Sequence, residues 1–157
     1  MMRVVFVCTG NTCRSPLAEA IARSLAEKRQ LGDVEFASAG TAAWAGAPAS
    51  DGAMLVGLEH GLDLNSHRAR QLTGGIVEQA DVILAMGPHH LERVEALGGE
   101  GKAFLLTSYA SHGKDERAIS DPFGGDLDVY RVTVDELGRE MERVVERIVS
   151  GRASGSS

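Results

Sequence analysis

Short apolar runs alternate with helix-like patterns along the chain. The first run, residues 4–7, is uninterrupted and rich in β-branched and aromatic residues, which is typical of a strand buried on both faces. Three further runs predict strands over residues 34–39, 81–86 and 102–106. Because four strands alternate with helices, the pattern predicts an α/β fold with a parallel sheet.

Apolar residues three and four positions apart predict the helices. Ser15-Pro16 opens the first one and places Pro16 at a first helical position, where its missing N–H costs nothing. Further helices are predicted over residues 51–60, 88–97 and 126–149. The last has the clearest apolar stripe, and its polar residues are expected on the other faces. These polar residues are Arg139, Glu140, Arg143 and Glu146.

The chain has the length of a single domain. Its 157 residues can bury a sizeable core, and no internal repeat or linker divides them. Residues 151–157 are rich in Gly and Ser and are predicted to be a flexible tail. We therefore expect one domain over residues 1–150.

Composition narrows the range of partners. The formal net charge is −6 and no basic cluster occurs, so nucleic acid is not an expected partner. The apolar runs are far shorter than the ~20 residues of a membrane span, so no membrane contact is expected. The amino terminus lacks the pattern of a secretory signal, and we expect a cytoplasmic monomer.

The histidines show no spacing typical of a metal site, so no metal and no cofactor are expected. His89 and His90 are consecutive on a predicted helix and point about 100° apart, which favours a solvated face. Trp44, in the loop after the second predicted strand, lies either at a pocket mouth or in the core.

The segment that carries chemistry lies between the first predicted strand and the first helix. Loops at the carboxyl ends of parallel strands collect ligands, and a helix that begins there offers unpaired N–H groups to an anion. The segment lacks the Gly-Lys-Ser/Thr ending of a nucleotide-binding loop. Instead it holds Cys8 and Arg14, with five residues between them.

This spacing suits a phosphoryl group. Five intervening peptides can form a cradle for three phosphoryl oxygens, while Arg14 binds two of them as a fork. The dipoles of the loop peptides and the positive charge of Arg14 also stabilise the thiolate form of Cys8, to which Ser15 can donate a hydrogen bond. A lone cysteine at a strand end is more often a small buried apolar residue, but the arginine and the helix start favour a nucleophile. The predicted phosphate-binding residues are Thr9, Gly10, Asn11, Thr12, Cys13, Arg14 and Ser15.

The signature loop of the low-molecular-weight protein tyrosine phosphatase family is similar to the run Cys8-Thr9-Gly10-Asn11-Thr12-Cys13-Arg14-Ser15-Pro16. Downstream, Asp121-Pro122 resembles the family's general-acid motif, and the resemblance spans residues 3–149. It implies a four-stranded parallel sheet with helices on both faces, of flavodoxin-like architecture, and a phosphocysteine intermediate. It further implies that Cys8 is the nucleophile, that Arg14 binds the phosphoryl group and that Asp121 is the acid. By the same resemblance His67 reaches Asn11 and supports the loop.

Two departures from the family's tyrosine phosphatases bear on the substrate. Thr12 stands where they usually have a bulky aliphatic residue, and Phe123-Gly124-Gly125 stands where they often have aromatic pairs. Both features resemble the protein-arginine phosphatase branch. A small polar Thr12 leaves room for a guanidinium, and Asp121 can pair with that cation, whereas a phenol needs an apolar slot. We therefore expect a protein phosphatase acting on phosphoarginine, with Thr12 and Phe123 as selectivity residues and phosphotyrosine as the alternative.

Three further alternatives concern the two cysteines of this chain. Arsenate reductases share the fold but relay electrons through downstream cysteines, and none follows Cys13 here. A non-catalytic phosphate-binding module would be expected to lack the nucleophile or the acid, and both Cys8 and Asp121 are present. Cys13 is either a packing residue or the partner of an oxidised Cys8 in a reducible disulfide. The expected partners are phosphorylated proteins, with inorganic phosphate as product.

Overall fold

A single parallel sheet organises the protein. The structure, a computed structural model, describes the backbone of residues 1–155 and the side chains of residues 1–151. The strands are β1 (Met2–Cys8), β2 (Val34–Gly40), β3 (Val82–Ala85) and β4 (Ala103–Leu105). They pair in the order β2-β1-β3-β4, and all three pairings are parallel. The predicted fold class is confirmed, and each predicted strand is found within a few residues of its expected bounds.

Six α-helices connect and cover the strands in the part of the chain that the structure describes. They are α1 (Arg14–Lys28), α2 (Asp51–Glu59), α3 (Gly74–Gln79), α4 (Pro88–Val94), α5 (Leu106–Ser111) and α6 (Leu127–Gly155). Sequence patterns did not indicate α3 and α5, because six residues are too few to display a helical period. The α-helical part of α4 ends at Val94 and continues directly into a π-helical turn over Glu95–Gly99, so helical backbone reaches the predicted limit at residue 97. Gly98, with a φ of 101°, then breaks the helix.

The central strand β1 packs against helices on both faces of the sheet, because successive side chains of a strand point to opposite sides. Val4 and Phe6 belong to a core cluster that includes residues of α1, α2, α5 and α6. Val5 and Val7 belong to a second cluster with residues of α3 and α4. This double burial explains why residues 4–7 form an uninterrupted apolar run.

Helix α6 covers the larger cluster with the predicted apolar stripe. Glu140, predicted to lie outside this stripe, is nevertheless buried and only 2% exposed. Its carboxylate is buried because Arg117, on the loop before α6, lies 2.7 Å from it and supplies the opposite charge. The flexible tail over residues 151–157 stays a prediction: the backbone is helical to Gly155, and residues 156 and 157 lie outside the described residues.

Candidate active site

The loop of residues 9–13 joins the end of β1 to the start of α1, as the sequence predicts for the phosphate cradle. Asn11 has a φ of 57°, in the left-handed region that asparagine tolerates better than most residues. The neighbouring strand β2 ends at Gly40, where a Cβ atom would lie 2.4 Å from the Thr9 carbonyl oxygen. Only glycine at position 40 therefore allows the loop to curl this tightly beside the sheet.

Cys8 is buried at the bottom of this loop, with its Sγ atom 2.9 Å from the Ser15 hydroxyl. The Asn11 amide donates one hydrogen bond to Ser15 Oγ, at 2.8 Å, and one to Ser38 Oγ, at 2.9 Å. Since Ser15 already accepts from Asn11, its own proton is free to be donated to the sulfur. A hydrogen bond donated to the sulfur stabilises the thiolate, the reactive form of a cysteine.

A buried hydrogen-bond chain behind the loop fixes the direction of these bonds. The Ser38 hydroxyl donates to Glu19 Oε1 at 2.7 Å, so Ser38 must accept from the Asn11 amide nitrogen. The Asn11 amide oxygen in turn accepts from the Arg70 backbone N–H at 3.0 Å. A carboxylate can only accept, and it therefore orients every donor between Glu19 and Cys8. The sequence analysis missed Glu19 and Ser38, because both lie outside the continuous segment of the cradle.

His67 supports the same loop from the outside. Its Nε2 atom lies 2.7 Å from the Asn11 carbonyl oxygen, to which it can donate a hydrogen bond. A left-handed residue in a tight loop leaves its carbonyl without a partner in regular structure, so this bond secures the strained position. The position of His67 is the one that the family resemblance implies.

Arg14 connects the cradle with the acid loop, residues 112–126. The guanidinium is 5% exposed, and its Nη1 donates to the Ile119 carbonyl at 3.1 Å. Its Nη2 lies 3.4 Å from a carboxylate oxygen of Asp121. A planar guanidinium holds its donors in a fixed fork, so Arg14 can bind the acid loop while its remaining donors face a phosphoryl group.

The side chains of the cradle and the acid loop enclose one cavity of about 210 Å³. Asp121 is half-exposed at its edge, and its Oδ1 accepts from the Phe123 N–H at 3.0 Å, which holds the turn. Phe123 is 80% exposed beside the opening. The residues that line the cavity are Cys8, Thr9, Gly10, Thr12, Cys13, Arg14, Asp121 and Phe123. Of the residues predicted for the site, Asn11, Ser15 and His67 lie behind this lining and hold it in place.

Cys13 is among the residues that line the cavity, and its sulfur packs against the starts of α2 and α6. Its Sγ lies 3.2 Å from Ser50 Oγ and 3.6 Å from the Tyr130 hydroxyl, and burial raises the pKa of Tyr130. Both cysteines are free thiols. The contacts give Cys13 a packing role, and its protective disulfide with Cys8 stays a prediction.

Trp44 lies on the loop that follows β2 and is 83% exposed, so it is not a core residue. The same loop borders the cradle, because the Thr41 and Ala42 N–H groups donate to the Cys8 and Thr9 carbonyls, each at 2.9 Å. The core interpretation is therefore wrong, whereas a place at the pocket mouth stays a prediction, because Trp44 is not among the residues that line the cavity.

Arg117 anchors the acid loop to helix α6. Its guanidinium contacts three carboxylates: Asp115 on the loop, and Glu136 and Glu140 on α6. The Ser120 N–H and hydroxyl also donate to Glu136, at 3.2 and 3.1 Å. Because Asp121 follows Ser120 directly, these contacts set where the proposed acid stands.

Arg117→Met is expected to lower the free energy of unfolding by about 3 kcal/mol, because it leaves the buried Glu140 carboxylate without its closest cation. Urea denaturation measures the change. In the matched double variant, Arg117→Met with Glu140→Met, the orphaned charge is removed as well, so most of the stability is expected to return. Equal destabilisation in the single and double variants would show that the charge pair is not what anchors the loop.

His90 is the residue of this region for which the sequence prediction is wrong. It is not on a solvated face but fully buried, with its Nε2 atom 2.8 Å from Thr9 Oγ1. Burial, with smaller contributions from the nearby His89 and Arg14 charges, lowers the pKa of His90 to about 4, so that it is neutral at neutral pH. A usable signal existed, since His90 is predicted in the first turn of the helix that follows the third strand, near the carboxyl edge of the sheet where ligands bind.

Two general expectations bear on the site. In the described side chains, no group of three or more His, Cys, Asp or Glu residues is placed to hold a metal ion. No helix within the described chain combines the length and apolarity that crossing a membrane requires. The expected absence of a cofactor and the cytoplasmic location stay predictions.

Known proteins are similar to this chain over nearly its whole length. The family described as low molecular weight phosphotyrosine protein phosphatase matches residues 3–153. A protein-arginine-phosphatase from Bacillus subtilis (strain 168) is 38% identical over 155 residues, which cover 96% of this chain and 99% of the relative. One from Geobacillus stearothermophilus is 41% identical over 148 residues, covering 93% and 95%.

A solved structure shows the same similarity in three dimensions. It is of a YwlE arginine phosphatase, a cysteine-to-serine mutant with a phosphorylated active site serine. It is 36% identical, has a TM-score of 0.89 and covers 97% of this chain and 99% of its own. The match in sequence, fold and extent confirms what the cradle sequence implied: this chain belongs to the low molecular weight phosphotyrosine protein phosphatase family.

Proposed function

We propose that this protein is a cysteine-dependent phosphatase that hydrolyses phosphoarginine on proteins. The observation that carries the proposal is the single cavity in which Cys8, Arg14 and Asp121 meet, with the small polar Thr12 in its lining. A nucleophile, a fixed cation and a carboxyl group are what transfer of a phosphoryl group through a covalent intermediate requires. The relatives named as protein-arginine-phosphatases support the choice of substrate.

The first step transfers the phosphoryl group to the enzyme. The Cys8 thiolate attacks phosphorus and forms a P–S bond, while the P–N bond to the arginine side chain breaks. Protonated Asp121 gives its proton to the departing guanidine nitrogen, which receives the electron pair of the broken bond. Arg14 and the backbone N–H groups of the loop neutralise the charge that spreads over the three equatorial oxygens.

The second step releases phosphate. Asp121, now ionised, takes a proton from a water molecule whose oxygen attacks phosphorus. The P–S bond breaks, and Cys8 leaves as the thiolate that the Ser15 hydroxyl, 2.9 Å away, stabilises. Asp121 is protonated again at the end of the cycle, so one carboxyl group serves as acid and then as base.

Three side chains around the opening suit a guanidinium. Among the described residues, the Thr12 hydroxyl has one hydrogen-bond contact, a long one of 3.7 Å to the Cys13 sulfur. Its oxygen can therefore accept a hydrogen bond from a substrate N–H. The half-exposed Asp121 carboxyl group keeps an acceptor oxygen for a guanidinium N–H even when it is protonated, and the exposed Phe123 ring offers a face on which a planar guanidinium stacks. The second candidate substrate is phosphotyrosine, which the same exposed Phe123 ring favours because it can flank a phenol.

The experiment that tests the substrate is a comparison of kcat/KM for one peptide carrying phosphoarginine and a matched peptide carrying phosphotyrosine. The Cys8→Ser protein is the blank. We expect a preference for phosphoarginine of tenfold or more, equivalent to about 1.4 kcal/mol of transition-state discrimination. A preference for phosphotyrosine would contradict the assigned substrate but retain the mechanism.

Thr12→Ile is expected to shift this preference toward phosphotyrosine by about tenfold, because it removes a hydrogen-bonding group and adds apolar bulk at the opening. The kcat/KM ratio for the two peptides measures the shift. Thr12→Ser keeps the hydroxyl and Thr12→Val keeps the shape, so together they separate the two causes. An unchanged ratio in the isoleucine variant would exclude Thr12 as a selectivity residue.

A further inference from the structure

One buried titratable side chain beside the cradle has no part in the two steps above. His90 lies in the first turn of α4, and its Nε2 atom is 2.8 Å from Thr9 Oγ1. Its other ring nitrogen, Nδ1, is buried and has no hydrogen-bond partner within the described part of the chain. Thr9 is the first residue after the nucleophile, and its side chain lines the cavity.

The unpartnered Nδ1 decides which nitrogen of His90 carries the proton. A neutral imidazole has one N–H donor and one acceptor nitrogen. If the proton were on Nδ1, a buried N–H would be left without an acceptor, a situation that folded proteins almost never tolerate. With the proton on Nε2, the only unsatisfied group is a lone pair. The favoured arrangement therefore has the Nε2–H donating to Thr9 Oγ1.

This arrangement determines what the Thr9 hydroxyl can do. Because Thr9 Oγ1 accepts from His90, its own proton is available to a second partner, and Thr9 is one of the residues that line the cavity. We propose that His90 is a positioning residue that turns the Thr9 hydroxyl into the cradle as a side-chain donor to a phosphoryl oxygen. This inference rests on the proposed function of the cavity as a phosphoryl site.

A neutral residue suits this position better than a cation. Arg14 already supplies a fixed positive charge to the cradle, and its charge is felt at His90. A protonated His90 would carry an additional N–H at Nδ1, and this buried N–H would have no acceptor among the described residues. Burial in the first turn of α4 keeps the His90 ring neutral, and its Nε2 lies within hydrogen-bond distance of Thr9 Oγ1.

The test measures binding of inorganic phosphate by calorimetry, so that it does not depend on which phosphorylated side chain is the substrate. His90→Phe, which keeps the ring volume without the donor, is expected to bind phosphate about tenfold more weakly, the effect of one lost hydrogen bond to a charged group. Thr9→Val is expected to lose a similar factor. His90→Gln restores an N–H near the position of Nε2 and is expected to lie within about threefold of wild type. His60→Ala is the control, with affinity unchanged, because His60 is an exposed histidine that pairs with Asp135 on α6.

A double variant and a spectrum separate positioning from general support of the fold. If His90 acts through Thr9, the His90→Phe and Thr9→Val changes together weaken phosphate binding no more than either alone. Long-range ¹H–¹⁵N NMR of the histidine rings is expected to show His90 with its proton on Nε2. Additive losses, a glutamine variant as weak as the phenylalanine variant, or a proton on Nδ1 would each overturn the inference.

The outcomes also distinguish this inference from the proposed function. A wild-type protein that shows the expected phosphate-binding pattern but hydrolyses neither peptide would support the role of His90 and overturn the proposed function. A protein that hydrolyses phosphoarginine but shows additive losses would do the reverse. Absence of phosphate binding in the wild type would overturn both, because the cradle would then not be a phosphoryl site.

Discussion

Cys8→Ser is expected to reduce turnover of a phosphoarginine peptide by at least ~10⁴-fold, because removing a covalent nucleophile costs several orders of magnitude. A serine hydroxyl is not ionised near neutral pH and is therefore a much weaker nucleophile than a thiolate. Its neighbour at 2.9 Å, the Ser15 hydroxyl, acts there as a donor and not as a base. Steady-state release of phosphate measures the loss.

Phosphate binding provides the second readout for this variant. The loop N–H groups and Arg14 remain in place when Cys8 is replaced, so the variant is expected to retain part of its affinity for inorganic phosphate. Cys13→Ser is the matched control, since it removes the other thiol of the loop, whose sulfur contacts Ser50 and Tyr130. The proposed mechanism is wrong if the two serine variants lose the same amount of turnover.

Asp121→Asn is expected to slow turnover by ~10²-fold or more, the usual contribution of a positioned general acid and base. Asparagine has the shape of aspartate and can still accept from the Phe123 N–H through its amide oxygen, so the turn is retained. What it cannot do is give a proton to the leaving nitrogen or take one from water. The measurement is kcat for the phosphoarginine peptide across pH.

Asp126→Asn is the control for charge and shape in the same loop. Asp126 accepts from the Val129 N–H at 3.1 Å at the start of α6, and asparagine caps helices about as well as aspartate. We therefore expect stability and turnover close to those of the wild type. If Asp121→Asn were as active as Asp126→Asn, Asp121 would not be the proton donor.

The sequence by itself determined the strand β1, the cradle and the likeness of Asp121 to a general acid. These features are local, because the cradle is one continuous segment of the chain. The number of residues between Cys8 and Arg14 is therefore enough to predict that the two side chains face one phosphoryl group. The burial of β1 on both faces is likewise predicted by the uninterrupted apolar run at residues 4–7. Periodicity and local motifs carry such information directly.

Only the tertiary structure decided which polar side chains are buried beside this segment. His90 and Thr9 are 81 positions apart, and Asn11 and Ser38 are 27 apart. Glu140 meets Arg117 across 23 positions. From sequence alone, a polar residue is expected on the solvated surface. It can be buried where a hydrogen-bonding or charged partner lies next to it, and that depends on how helices and loops pack against the sheet. The sequence lists the hydrogen-bond donors and acceptors, but the folded chain determines which of them pair. A polar group is buried only where the fold places a partner within hydrogen-bond distance.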